Sequence, residues 1–325
     1  MRDGTDGEQV RVVALGGGHG LYATLSAVRR LTDRITAIVT VADDGGSSGR
    51  LRAELGMIPP GDLRMALAAL AGPAAGVWPA AVQHRFGGSG ALAGHAVGNL
   101  ILAGLTELLG DPVAALDELG RVLDVTGRVL PMASTALTIE ADVSGLEADP
   151  RVGRRIRGQV AVATTPGTVR RVRLIPSDPP ACAAAVAAIG DADLVVLGPG
   201  SWFTSVIPHV LVPELHDAMA RTGARKVLVL NLAAEPGETA GFSTERHLHV
   251  LAQHAPAFRV DHVVVDSASV PAGRERDQLV RAAARLGAES VFTDVAEPRT
   301  TMHHPGRLAA TLEQLAPASA KRRTA

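Results

Sequence analysis

Within the first 65 residues, two apolar runs of strand length each end in a glycine-rich polar loop. Val12-Val13-Ala14-Leu15 leads into Gly16-Gly17-Gly18-His19-Gly20. Ile35 to Val41 leads into Asp43-Asp44-Gly45-Gly46-Ser47-Ser48-Gly49-Arg50, and Pro59-Pro60-Gly61-Asp62-Leu63-Arg64 follows. Unbroken apolar runs of this kind suit strands covered on both faces. In an open α/β sheet, ligands sit beyond the carboxyl ends of such strands. One loop here is neutral and glycine-rich, while the others carry carboxylates and arginines. The pattern predicts a phosphate site beside a cation site.

The same rhythm runs through the chain. A helix is expected from about Leu21, a second over Leu63–Leu70 with Asp62 as its N-cap, and a third over Ala91–Leu109. Asp111-Pro112 opens another. Arg128 to Pro176 is richer in Val, Thr, Arg and Gly and reads as a β-rich insertion or edge. Strands return at Leu194–Leu197, Lys226–Leu230, His262–Val265 and Ser290–Thr293. Strands alternating with helices imply parallel pairing with right-handed crossovers. The reading is one α/β domain over residues 10–315, with an insertion at about 128–176 and flexible tails at 1–9 and 316–325.

Composition excludes several classes. The 325 residues carry a formal net charge of −1, without the basic excess of a nucleic-acid binder. Aromatics are 2% against 46% hydrophobic residues, so aliphatic side chains must build the core and stacking cannot be the main way a base is held. The single Cys182 excludes an internal disulfide and reads as a small core residue. No run is long and apolar enough to span a membrane, and the first nine residues lack a signal-peptide core. A cytoplasmic protein is expected. In the tail, Thr324 after Lys321-Arg322-Arg323 is a candidate phosphorylation site, set against the plainer reading of a solubilising tail.

The loops suggest chemistry. Gly17, Gly18 and Gly20 would let the backbone approach a phosphate while the next helix points free N–H groups at it; the alternative is a tight structural turn. The dinucleotide fingerprint is incomplete, and no Walker lysine is present. Asp43 and Asp44 repel each other unless a cation or donors compensate. Ser47 supplies a hydroxyl, and Arg50, Arg52 and Arg64 could grip phosphate. The plainer alternative makes Asp44 a helix cap. His95 and Asn99 would share one helix face. Gly198-Pro199-Gly200-Ser201 offers a second phosphate or sugar loop, and Trp202 and Phe203 read first as packing. Asn231, Glu238 and Thr239 suit hydroxyl recognition. His303-His304 reads as a solvated turn before Pro305.

In this order, Gly-Gly-Gly-x-Gly, Asp-Asp-Gly-Gly-Ser-Ser-Gly-Arg-Leu-Arg, Pro-Pro-Gly-Asp, Gly-His-x-x-Gly-Asn-Leu, Gly-Pro-Gly-Ser and Pro-Gly-Glu-Thr resemble the gluconeogenesis factor family. That family is similar in fold to the 2-phospho-L-lactate transferases. The resemblance covers about residues 10–315. It implies a Rossmann-like three-layer sandwich with a mostly parallel sheet. It also implies a regulator that binds uridine-diphosphate-N-acetylglucosamine and links carbon metabolism to cell-wall synthesis and cell shape. The ligand set would be Gly17, Gly18, His19, Gly20, Asp44, Ser47, Arg50, Asn99, Gly200, Ser201, Asn231, Glu238 and Thr239. A partner protein of cell-wall or carbon metabolism is implied, and a homo-oligomer is compatible with the chain. The alternative is a magnesium-dependent transferase on a nucleotide-diphosphate-linked substrate, with Asp43, Asp44 and Asp62 holding Mg²⁺. The continuation of Asp43-Asp44 favours binding over transfer. His19, Tyr22, Gln159, the Trp202-Phe203 pair and Met302-His303-His304 depart from the family pattern and would alter sugar preference if they touch the ligand.

Overall fold

The computed structural model of the protein describes residues 9–149, 152–235 and 237–317. Thr324 and most of both tails fall outside these residues. The chain alternates as its apolar runs require. β1 (Val12–Gly16) feeds α1 (Gly18–Val28), and β2 (Ile35–Val39) feeds α2 (Gly46–Leu55) and α3 (Gly61–Leu70). Then come α4 (Trp78–Gln83), α5 (Val97–Leu109), α6 (Pro112–Val122) and β3 (Arg128–Pro131). β4 (Thr138–Ser144), β5 (Gly153–Arg157), α7 (Gln159–Ala163) and β6 (Thr168–Ile175) follow. The α/β alternation resumes with α8 (Ala183–Asp191), β7 (Leu194–Leu197), a π-helical turn at Trp202–Val206, α9 (Ile207–Leu211), α10 (Pro213–Arg221) and β8 (Arg225–Val229). It ends with α11 (Thr244–His254), β9 (His262–Asp266), α12 (Arg274–Arg285), β10 (Glu289–Thr293) and α13 (Pro305–Leu315).

Seven strands form one parallel sheet in the order β10-β9-β8-β7-β1-β2-β3, while β5-β4-β6 form a small antiparallel sheet. The central strands are continuously apolar because helices cover both faces; all of Val12, Val13, Ala14 and Leu15 are buried. This is the expected Rossmann-like α/β architecture. The topology also locates a crevice. From β1 the chain builds outward through β2 and β3, then returns to β7 on the other side of β1 and builds the opposite way. The β1/β7 boundary is therefore the switch point, where loops diverge and leave room for a ligand.

Three local readings are corrected. The helix expected over Ala91–Leu109 starts at Val97; Gly94 has φ +76°, a left-handed turn that keeps the preceding stretch out of the helix. Arg128–Pro131 pairs with β2 at the edge of the large sheet, so the antiparallel part begins only at Thr138. The N-cap of α3 is Pro60, and Asp62 lies inside the first turn. The Gly18 N–H faces its carboxylate, so Asp62 lies against the amino end of α1 instead.

Trp202 and Phe203 are fully buried, as packing required, and Cys182 is buried at the start of α8. His209 ties the π-helical turn to the sheet: its Nδ1 lies 2.9 Å from the Ser205 carbonyl oxygen and its Nε2 3.1 Å from that of Ile38. Burial pulls its pKa down to about 4, and the neutral ring donates to one of these two carbonyls. Among the described residues, no helix is long and apolar enough to cross a membrane.

Candidate functional site

Three strand-end loops are locked together at the switch point. Gly20 lies against the backbone of Pro199 and Gly200 so closely that a Cβ there would come within 2.5 Å of the Gly200 Cα. Thr24 Oγ1 donates to the Gly198 carbonyl at 2.9 Å. Asn231, at the end of β8, accepts from the Gly200 N–H at 2.9 Å and donates to its carbonyl at 3.0 Å. Its amide thus copies a strand partner and fixes the loop. Asn231→Ala is expected to cost about 1–3 kcal/mol in urea unfolding, because two paired backbone groups lose their partner.

These loops wall a cavity of about 750 Å³, within the range of small-molecule sites. His19, Gly20, Tyr22, Gly200 and Asn231 line it. Glu235 and the segment carrying Glu297, Met302 and His303 complete the lining. That segment hangs from Asp266. The Asp266 carboxylate accepts from the N–H groups of Ala268, Ser269, Val295 and Ala296 at 3.1–3.2 Å, and from the Ser269 hydroxyl at 3.2 Å. Among the described residues, the cavity wall contains no Lys or Arg. Its positive pole is the amino end of α1, whose N-cap Gly17 brings no side-chain cap.

Beside the cavity lies a second, polar cluster. Gly17 separates the two: a Cβ there would fall 2.5 Å from Asp62 Oδ2 and 3.1 Å from Ser205 Oγ. Asp62 retains partial solvent contact, yet surrounding protein and then the nearby Asp43 carboxylate push its pKa up to about 7. Asn99 joins this cluster, with Oδ1 accepting from buried Arg64 Nη1 at 3.0 Å and Nδ2 donating to Ser47 Oγ at 2.9 Å. The Ser47 hydroxyl also lies 3.0 Å from His95 Nδ1. Arg64 Nε has no partner, and burial brings the guanidinium pKa down to about 10, so it remains charged. His95 and Asn99 therefore meet through Ser47, not along a shared helix face, since His95 precedes α5.

Several residues are engaged elsewhere. Asp44 turns away from Asp43 and accepts from Gln159 and Val160 N–H at 3.1 and 3.0 Å, capping α7. The Arg50 guanidinium donates to the Ala91 and Ala93 carbonyls, and Arg52 to Leu137 O and Thr138 Oγ1. Among the described residues, no group of three or more His, Cys, Asp or Glu side chains is disposed to hold a metal ion. The three aspartates do not converge; Asp43 and Asp62 form the pair that remains. His303 is buried, not solvated, and His304 caps α13 by accepting from Gly306 and Arg307 N–H.

Glu238 and Thr239 sit behind the cavity wall; Pro236 lies outside the described residues. Thr239 Oγ1 accepts from the Glu235 N–H at 2.8 Å and clasps the loop. Glu238 is 2% exposed, and neither oxygen closes a hydrogen bond, although both Trp202 and Phe203 amides face it. Burial, then the Glu235 carboxylate, raises its pKa to about 8. The folded chain holds this proton while the unfolded chain releases it above the ordinary value of 4.5. Stability tied to the group is whole below that value and is lost as pH rises toward about 8. Glu238→Gln is expected to raise Tm by several degrees at pH 8 and by little at pH 5, as scanning calorimetry would show.

Sequence reasoning missed Glu235, Glu297 and Asp266. The first two lie on loops without a motif. Asp266 did carry a signal, a carboxylate closing Val263-Val264-Val265 before Ser267-Ala268-Ser269, the pattern of a side chain that gathers loop amides.

A family model described as 2-phospho-L-lactate transferase CofD matches residues 12–304. The chain belongs to this family. Within it, a "Putative gluconeogenesis factor" of Mycobacterium tuberculosis is 71% identical over 311 residues, covering 95% of this chain and 90% of the relative. The "Gluconeogenesis factor" of Bacillus subtilis is 37% identical over 294 residues, covering 90% and 88%. A crystal structure of a UPF0052 family member from Bacillus halodurans superposes with a TM-score of 0.83 at 32% identity, covering 94% of this chain and 99% of that one. The fold and the family resemblance read from the ordered motifs are thereby established.

Proposed function

We propose that this CofD-family protein binds a nucleotide-sugar of the uridine-diphosphate-N-acetylglucosamine type at the switch point. In this reading it acts in the cytoplasm as a regulator linking carbon metabolism to cell-wall synthesis and cell shape through a protein partner. The observation that carries the binding half is the cavity of about 750 Å³ lined by His19 and Gly20 in the first turn of α1. Free helix N–H groups and glycines that admit close approach suit a diphosphate. The names of the relatives support the carbon-metabolism half, and the cell-wall half rests on the motif resemblance. Calorimetric titration with uridine-diphosphate-N-acetylglucosamine is expected to give saturable heat. Absence of heat and of any thermal shift at millimolar ligand would sink the reading.

A second reading, magnesium-dependent transfer, is favoured by one observation. Asp62 and Asp43 are close enough to raise the Asp62 pKa, and a divalent cation would relieve that repulsion. Mg²⁺ commonly uses one or two carboxylates with substrate phosphates, so this pair fits and Asp44 does not. A bound Mg²⁺ would supply charge stabilisation to a phosphate ester. The chain's own contribution would be to orient Asp62 through the Gly18 N–H and to keep Arg64 charged beside it. Nucleotide-sugars and guanosine-diphosphate conjugates remaining intact with Mg²⁺ over hours would exclude transfer on those substrates.

A further inference from the structure

Tyr22 is the only tyrosine of the chain; it is 42% exposed on α1 and lines the cavity. Met302, in the segment just before α13, is 63% exposed and lines the same cavity. Trp202, Phe203 and Phe258 are at most 2% exposed, whereas Tyr22 and Trp78 are open to water, and of these two only Tyr22 lines the cavity. A tyrosine and a methionine left open to water in one cavity are unsatisfied apolar surface with a defined place. Both backbones are held. Ser26 Oγ donates to the Tyr22 carbonyl at 2.8 Å, and the Glu297 N–H donates to the Met302 carbonyl at 2.8 Å.

We infer that Tyr22 and Met302 form a clamp for the planar ring of the ligand's nucleobase, which fixes the direction in which the ligand lies. This rests on the nucleotide-sugar reading above and extends it. Among the described residues no Lys or Arg lines the cavity, which suits an uncharged ring against Tyr22 and Met302. The diphosphate then runs toward Gly20 and Gly200, where the α1 N–H groups lie. An aromatic face and a polarizable thioether are both favourable partners for a π system. The low aromatic content does not exclude stacking, because one exposed ring placed in the cavity is enough.

The test uses the full chain and three probes: uridine monophosphate, uridine-diphosphate-N-acetylglucosamine and base-free N-acetylglucosamine-1-phosphate. Tyr22→Ala is expected to weaken both uridine ligands by about 10-fold or more, in line with base–aromatic stacking, and to leave the base-free probe unchanged. Tyr22→Phe should bind as wild type, and Met302→Ala should show a smaller loss. Selective tyrosine labelling gives one ring to follow by NMR, and its signals should shift upfield when uridine monophosphate is added. Wild-type binding with Tyr22→Ala unaffected overturns the clamp alone. A wild-type protein silent to both uridine ligands overturns the nucleotide reading and the clamp with it. Tyr22 is a surface residue, so folded variants are expected, and circular dichroism verifies them.

Discussion

Asp266→Ala is expected to lower stability by about 3–5 kcal/mol, because four backbone N–H groups lose their acceptor at once. Asp266 is 4% exposed at the end of β9, and its two oxygens divide the work. One accepts from Ala268, Ser269 and the Ser269 hydroxyl; the other accepts from Val295 and Ala296 across the sheet end. Water cannot replace so many contacts at a buried point. The consequence reaches the cavity, since the segment from Glu297 to His303 starts at Ala296. Urea unfolding should show the lost stability, and ligand titration of whatever remains folded should show weakened binding. Asp266→Asn retains one acceptor oxygen and should lose less. An Asp266→Ala protein within 1 kcal/mol of wild type would show that the loop is held by other means.

Gly20→Ala is expected to abolish binding with a smaller effect on folding. The added methyl would overlap the Pro199 carbonyl oxygen and press on the Gly200 Cα. These are backbone atoms, so neither can rotate away, and the loops after β1 and β7 must separate. Overpacking of this kind costs about 1–3 kcal/mol in stability. The geometric cost to binding is larger, because the separated loops are the two that would face a diphosphate. Affinity should fall by two orders of magnitude or more, about 2.8 kcal/mol at the rate of 1.4 per tenfold change. A Gly20→Ala protein that binds as tightly as wild type would remove the α1 amino end from the site.

The parts legible in the sequence were those carried by short-range pattern. Val12 to Leu15 and Leu194 to Leu197 read as buried strands because their apolar runs are unbroken, and the glycine loops after them marked the strand ends. Asp111-Pro112 read as a helix start, and Asp111 accepts from the Val113 N–H as a cap should. What was illegible depended on pairing across distance. Gly94 gave no local sign that it would adopt φ +76° and hold His95 outside α5. Asp44 follows Asp43 in sequence, but its partners are Gln159 and Val160, more than 100 residues away. Arg50 and Arg52 looked free for phosphate because the carbonyls that take their hydrogen bonds lie in remote loops. The cavity itself arises because β7 returns beside β1, a fact of sheet order that no motif encodes.

The central claim is that the switch-point cavity is a nucleotide-sugar site. A crystal structure of the protein with uridine-diphosphate-N-acetylglucosamine tests it most directly. The expected result places the diphosphate within hydrogen-bond distance of the backbone N–H groups of residues 19 and 20, with the uracil against Tyr22. Ligand bound instead among Ser47, Asn99 and Arg64, or a cavity still empty at saturating ligand, would contradict it.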